Sequence, residues 1–103
     1  FAVEAVPACI NSILEKTGLS TDDIDFFVFH QANARIIDLA AKKYHIPPEK
    51  YYKNIQKYGN TSAASIGICL DEIIRSGDIE RGDYLLLTAF GGGLTWGAIL
   101  LRY

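Results

Sequence analysis

Two side chains in this sequence can give a hydrogen bond without carrying charge at places where a ligand could meet them. His30 ends the apolar run FFVF (residues 26–29), and Asn60 lies in GNTSAAS. A neutral imidazole N–H and a carboxamide N–H converging on one point would stabilise an oxygen that becomes negative during reaction, such as an enolate or a tetrahedral oxyanion. A third segment, FGGGLTWG, brings three successive glycines, which let a backbone approach a ligand closely and aim an N–H at an oxyanion. Taken singly, each has a plainer reading. His30 would be a hydrogen-bonded histidine at a strand end, Asn60 a helix N-cap, Asn33 and Arg35 first-turn helix residues, and the glycines a tight turn between strands. In open α/β sheets, however, ligands bind beyond the carboxyl ends of the strands. HQANAR, KYGNTS and FGGGLTW each leave such an end, and their coincidence carries more weight than any one residue.

Other chemistries find little support. Asp23 and Asp25 precede the apolar run and fall at its other end, so no carboxylate is placed to orient His30 as the base of a triad. Cys69 shares an apolar helix face with Ile66, Leu70 and Ile73, and reads, like Cys9, as a small buried hydrophobe. Ser62 and Ser65 open a helix with no adjacent base. A nucleophile is missing, so these loops look like half of an active site. A dinucleotide fingerprint begun at Gly91 would need glycine where Trp96 stands, and a strand follows instead of a helix. No P-loop is present, and the sequon at Asn60 is a chance match. His30 and His45 are not at ligand spacing, so no metal is expected. The 103 residues make one small domain, and a net charge of −2 with no basic cluster gives no sign of nucleic acid or an anionic membrane as partner. No apolar run reaches the length of a membrane span, and no signal peptide is recognised. Two distant cysteines in no metal or CxxC spacing fit a reduced, cytoplasmic setting.

The elements that would position these residues follow from periodicity. Val6, Cys9, Ile10, Ile13 and Leu14 repeat at helix spacing, and Gly18 ends that helix. Pro7 either opens its regular part or kinks a longer helix. STDDID is a turn, with one helical turn capped by Ser20 or Thr21. FFVF is a strand buried on both faces. Residues 32–45 form a helix with Ile36, Ile37, Ala40 and Tyr44 inward, stopped by Pro47 and Pro48. Residues 51–55 are read as a strand, 62–76 as a helix closed by Gly77, and 84–90 as a second buried strand. The glycines turn the chain into a last strand from Trp96. Strands alternating with helices imply a parallel sheet covered on both faces. The last two strands, joined by so short a turn, can only be antiparallel neighbours, so the sheet is mixed.

HQANARI, GNTSAAS and AFGGGLTWG, in this order and spacing, resemble β-ketoacyl-acyl carrier protein synthase III, the enzyme that starts type II fatty acid synthesis. The similarity covers nearly all the chain. It implies that residues 1–103 are the C-terminal domain of such an enzyme, a three-layer α/β/α half of a thiolase fold. The N-terminal half with its cysteine would be absent, and with it the first strand of this half. That strand is an edge in the family, so its loss would expose a sheet edge open to self-association. Gly67 stands where the family often has proline, a difference remote from the chemistry.

The resemblance also implies roles. In the family a cysteine takes an acyl group from acyl-CoA, malonyl-carrier protein loses carbon dioxide, and the resulting enolate attacks the acyl-cysteine. His30 and Asn60 match the histidine and asparagine that donate hydrogen bonds to the malonyl thioester oxygen. Gly92 matches the glycine whose N–H joins that of the cysteine in the other oxyanion hole. Asn33 resembles a residue near the pantetheine arm, Arg35 an arginine that meets the acidic carrier protein, and Phe90 the aromatic beside the catalytic pair. Acyl-CoA and malonyl-carrier protein enter as substrates, with no cofactor. The partners implied are the acyl carrier protein, the N-terminal half, and a second copy, since the family is usually dimeric. The chain alone is expected to be inactive. Two other readings stand beside this one: a related condensing enzyme of secondary metabolism that keeps a similar His and Asn, and a carrier-protein-binding module without catalysis.

Overall fold

Four consecutive apolar residues can all be buried only if both faces of their strand are covered, and this governs the architecture. In the computed structural model, which describes residues 2–91 and 95–103, the elements run α1 (Ala2–Thr17), β1 (Phe26–Phe29), α2 (Ala34–Lys43), α3 (Ile55–Tyr58), α4 (Ser65–Ser76), β2 (Tyr84–Gly91) and β3 (Thr95–Arg102). Side chains alternate across a strand. Phe27 and Phe29 therefore pack with Val6 and Ile10 of α1 and Ile37, Ala40 and Ala41 of α2. Phe26 and Val28 turn to the opposite side, against Cys69 and Ile73 of α4. The result is the expected three-layer α/β/α arrangement.

β1 and β2 are parallel, from Phe26 opposite Leu85 to Phe29 opposite Thr88. β2 and β3 are antiparallel, from Tyr84 opposite Arg102 to Gly91 opposite Thr95. The sheet, in the order β1-β2-β3, is thus mixed, with its last pair reversed as the few residues between Gly91 and Thr95 require.

Several boundaries have local causes. α1 runs through Pro7, so Pro7 does not open the helix. Gly18, at φ 72°, closes it with its N–H on the Leu14 carbonyl at 2.9 Å. The Tyr44 hydroxyl, at the end of α2, donates to the Pro7 carbonyl at 3.0 Å and lies 2.7 Å from Asn11 Oδ1, tying the two helices of one layer together. Of the two cap candidates near residue 20, Ser20 holds the position: its N–H donates to the Asp23 carboxylate at 2.9 Å across one 3₁₀ turn. α2 is shorter than residues 32–45 because Asn33 caps it. α4 begins at Ser65, after a 3₁₀ turn at Ser62–Ala64, and Gly77 ends it in the left-handed region at φ 78°.

The strand expected at residues 51–55 does not form. Tyr51 makes a single parallel bridge to Phe27, and the chain then turns into α3. The groups a longer ladder would have used are engaged elsewhere. The Gln31 carboxamide takes the Tyr52 carbonyl and the Asn54 N–H, while the Asn54 carbonyl accepts the N–H groups of Lys57 and Tyr58 at 2.9 and 3.0 Å.

Gly67 lies exposed in the first turn of α4, and a Cβ there would meet nothing within 4 Å. Gly67→Ala is therefore expected to raise stability by up to about 1 kcal/mol through helix propensity alone, read as a higher urea midpoint at unchanged slope.

Candidate active site

His30 is carried to the sheet's end by the pairing of β1 with β2. Its backbone N–H donates to the Thr88 carbonyl at 2.9 Å, extending the ladder one residue past Phe29. Two residues further along β2, Phe90 meets the imidazole edge-on, with ring centroids 5.0 Å apart and planes at 83°. Burial lowers the His30 pKa below its ordinary 6.5, because desolvation penalises the charged form. At neutral pH the ring is therefore uncharged, with one N–H to give. Asp25 is bound at the other end of the strand, where its carboxylate takes the Tyr84 N–H at 2.8 Å. As expected, it is out of reach of His30.

Asn60 reaches the same end of the sheet by a backbone that few residues allow. Gly59 has φ 72° and ψ −162°, a combination open essentially to glycine. Ser62 is left-handed at φ 52°. Between them Asn60 Oδ1 accepts the Ser62 N–H at 2.9 Å, so what Asn60 can offer a ligand is its amide N–H. The N-cap expectation is corrected in detail: the cap position of the 3₁₀ turn is Thr61, and Asn60, one residue earlier, closes a side-chain turn onto Ser62.

His30, Asn60 and Phe90 line one open cavity of about 680 Å³, with Ser62, Ile66 and Trp96 among its other walls. Gly91 lines it too, whereas Gly92, the expected oxyanion-hole residue, lies outside the described residues. Asn33 and Arg35 are not brought to the cavity. Asn33 caps α2, accepting the Arg35 N–H at 2.8 Å, and both residues are exposed. Burial pushes the Cys69 thiol up to about 11 and raises Cys9 as well, so neither offers a thiolate at neutral pH. Among the described residues there is no group of three or more His, Cys, Asp or Glu able to hold a metal, and no helix is long and apolar enough to cross a membrane. Trp96 was not singled out from the sequence. A hairpin that sets Gly91 opposite Thr95 also sets Phe90 opposite Trp96, so the length of the glycine turn was the signal for it.

A cavity beyond the carboxyl ends of two parallel strands, in a sheet covered by helices on both faces, is where α/β domains bind ligands. Residues 14–103 match the family described as 3-oxoacyl-(acyl-carrier-protein) synthase III C terminal, and the chain belongs to that family. It is 54% identical over 99% of its length to a β-ketoacyl-(acyl-carrier-protein) synthase III of Aquifex aeolicus, covering 33% of that protein. It is 50% identical over its whole length to the chloroplastic enzyme of the same name from Arabidopsis thaliana, covering 26% of it. A crystal structure of the Thermus thermophilus synthase III superposes with a TM-score of 0.96 at 46% identity, over 100% of this chain and 32% of that one. The chain thus spans about a third of the length of the relatives it matches.

Two outcomes test this geometry. Gly59→Ala is expected to destabilise by about 1–3 kcal/mol, since the penalty is conformational and not steric and a Cβ there meets nothing within 4 Å; denaturation curves measure it. The His30 ring should titrate with a midpoint below 6.5 by NMR. As the pH falls the unfolded chain takes up this proton first. The stability tied to the neutral ring is therefore complete above the unfolded pKa and is lost as the pH drops through the lower folded value.

Proposed function

We propose that this chain is the part of a β-ketoacyl-acyl carrier protein synthase III that stabilises the enolate formed from malonyl-carrier protein. The observation that carries the reading is the meeting of His30 and Asn60 on one cavity wall system with Phe90. When the malonyl thioester loses carbon dioxide, the electron pair of the breaking C–C bond moves into the thioester and places negative charge on its oxygen. The neutral His30 N–H and the Asn60 amide N–H donate to that oxygen. Two uncharged donors bind the developing anion without first forming a salt bridge to the malonyl carboxylate, so they favour the transition state over the ground state. Phe90, edge-on to His30, keeps the ring in place and water away from one side of it.

The carbanion then attacks the carbonyl carbon of an acyl group that acyl-CoA has placed as a thioester on a cysteine outside this chain. The tetrahedral oxyanion collapses as the C–S bond breaks and the cysteine thiolate leaves. Gly92 contributes its N–H to the oxyanion of that second step. Arg35 and Asn33, exposed on the helix that begins beside His30, face the acidic carrier protein and its pantetheine arm. The reading needs no resident metal or cofactor. It places the protein in the cytoplasm, working as a dimer, and the chain without its N-terminal portion does not condense.

The test separates half-reactions in the full-length enzyme. His30→Ala and Asn60→Ala should each lower malonyl decarboxylation by about 10²–10³-fold, as removing an oxyanion donor does elsewhere, while transfer of the acyl group from CoA to the cysteine continues. Decarboxylation at the parent rate in both variants would sink the assignment.

A further inference from the structure

Gln31 follows His30 directly, yet its side chain is 1% exposed, and its carboxamide is fully engaged. Nε2 donates to the Phe29 carbonyl at 2.9 Å and to the Tyr52 carbonyl at 3.2 Å, and Oε1 accepts the Asn54 N–H at 3.0 Å. A residue in a parallel strand is held in the same manner, giving an N–H to one side of its partner residue and taking one from the other. Backbone pairing of β1 with the 51–54 segment amounts to the single bridge between Phe27 and Tyr51. The Gln31 side chain continues that ladder where the backbone has already turned away toward α2.

Asn54, 4% exposed, extends the connection in the other direction. Its Nδ2 donates to Glu72 Oε1 at 2.8 Å, and its Oδ1 accepts from the Cys69 thiol at 3.3 Å. Both partners lie on α4. The second Glu72 oxygen takes Lys57 Nζ of α3 at 3.2 Å. α3 and α4 are the two helices between which Asn60 hangs. A chain of hydrogen bonds therefore runs from the residue after His30 to both supports of Asn60, buried at Gln31 and Asn54 and reaching the surface at Lys57.

We propose that Gln31 and Asn54 are positioning residues, a buried amide clamp that sets the separation of the His30 and Asn60 donors. The proposal rests on the enolate-stabilising role of that pair. Donors aimed at one oxygen must hold their spacing closely, and a shift of about 1 Å can lower a rate about 10²-fold.

The experiment uses the full-length enzyme with Gln31→Met, Glu72→Ala and, as reference, His30→Ala. Malonyl decarboxylation and acyl transfer from CoA to the cysteine are measured separately. In Gln31→Met, kcat for decarboxylation should fall about 10- to 100-fold, with KM for malonyl-carrier protein changed less than about threefold and acyl transfer unchanged. Glu72→Ala, at a partly exposed side chain, should move decarboxylation the same way by a smaller factor. It decides the matter alone if Gln31→Met does not fold. Parent-like decarboxylation in the folded variants overturns the clamp. So does a parallel loss of both half-reactions, which marks a residue that merely supports the fold. Parent-like decarboxylation in His30→Ala overturns the enolate role itself, and with it the clamp. That failure is recognisable because only it leaves the His30 variant active.

Discussion

The parallel pairing of β1 with β2 is the interaction on which the rest depends. It joins four consecutive apolar residues, all buried, to the middle of the sheet. A strand so short could not hold its register through backbone bonds alone. The two cores supply the rest, Phe27 and Phe29 into one and Phe26 and Val28 into the other. A slip by one residue would exchange the faces, setting the phenylalanines of one layer into the space shaped for the other. Because the register is held from both sides, the residue after the strand is held as well. The backbone of His30 is bonded to Thr88 in continuation of the same ladder, so the precision of the imidazole is inherited from the hydrophobic packing beneath it.

Asn60 is positioned on a different principle. No strand leads to Asn60. Its place is determined by a glycine in a conformation closed to other residues, by a left-handed serine, and by its own carbonyl oxygen turned back onto the chain. One half of the pair thus stands on a sheet and the other on a loop with little choice of shape. The network through Gln31, Asn54, Cys69 and Glu72 is what joins the two.

Much of this was legible in the sequence, and the parts that were not share a cause. The helices, the buried strands and the antiparallel hairpin show in periodicity and in glycines, because those signals reflect which face each residue buries. His30 and Asn60 stand out in the sequence because strand ends and turn residues mark themselves, whereas Phe90 is named only through the family resemblance; all three line the cavity. The expected strand at residues 51–55 gave way to a single bridge for a reason no local pattern carries: the backbone after β1 turns away toward α2, and a side chain 21 residues earlier takes up the Tyr52 carbonyl in its place. Gln31 itself left no trace, since a polar residue after a strand reads as loop until its distant partners are known. Asn60 as N-cap missed by one position, a difference set by the left-handed Ser62, which nothing in its neighbours announces. Trp96 was hidden behind register, which the turn length fixes and residue type does not.

The reversed direction of β3 has a practical side. The hairpin brings the chain to the cavity at Gly91 and Thr95, and β3 then leads it away again, so that Tyr103 lies beside Asp83 at the start of β2, with the Tyr103 N–H on the Asp83 carbonyl at 2.7 Å. Eight residues of extended chain cover roughly 25 Å. A fluorophore, affinity handle or surface linkage placed at Tyr103 therefore sits at the opposite pole of the molecule from the cavity, and the protein can be immobilised or labelled there with its mouth facing solution.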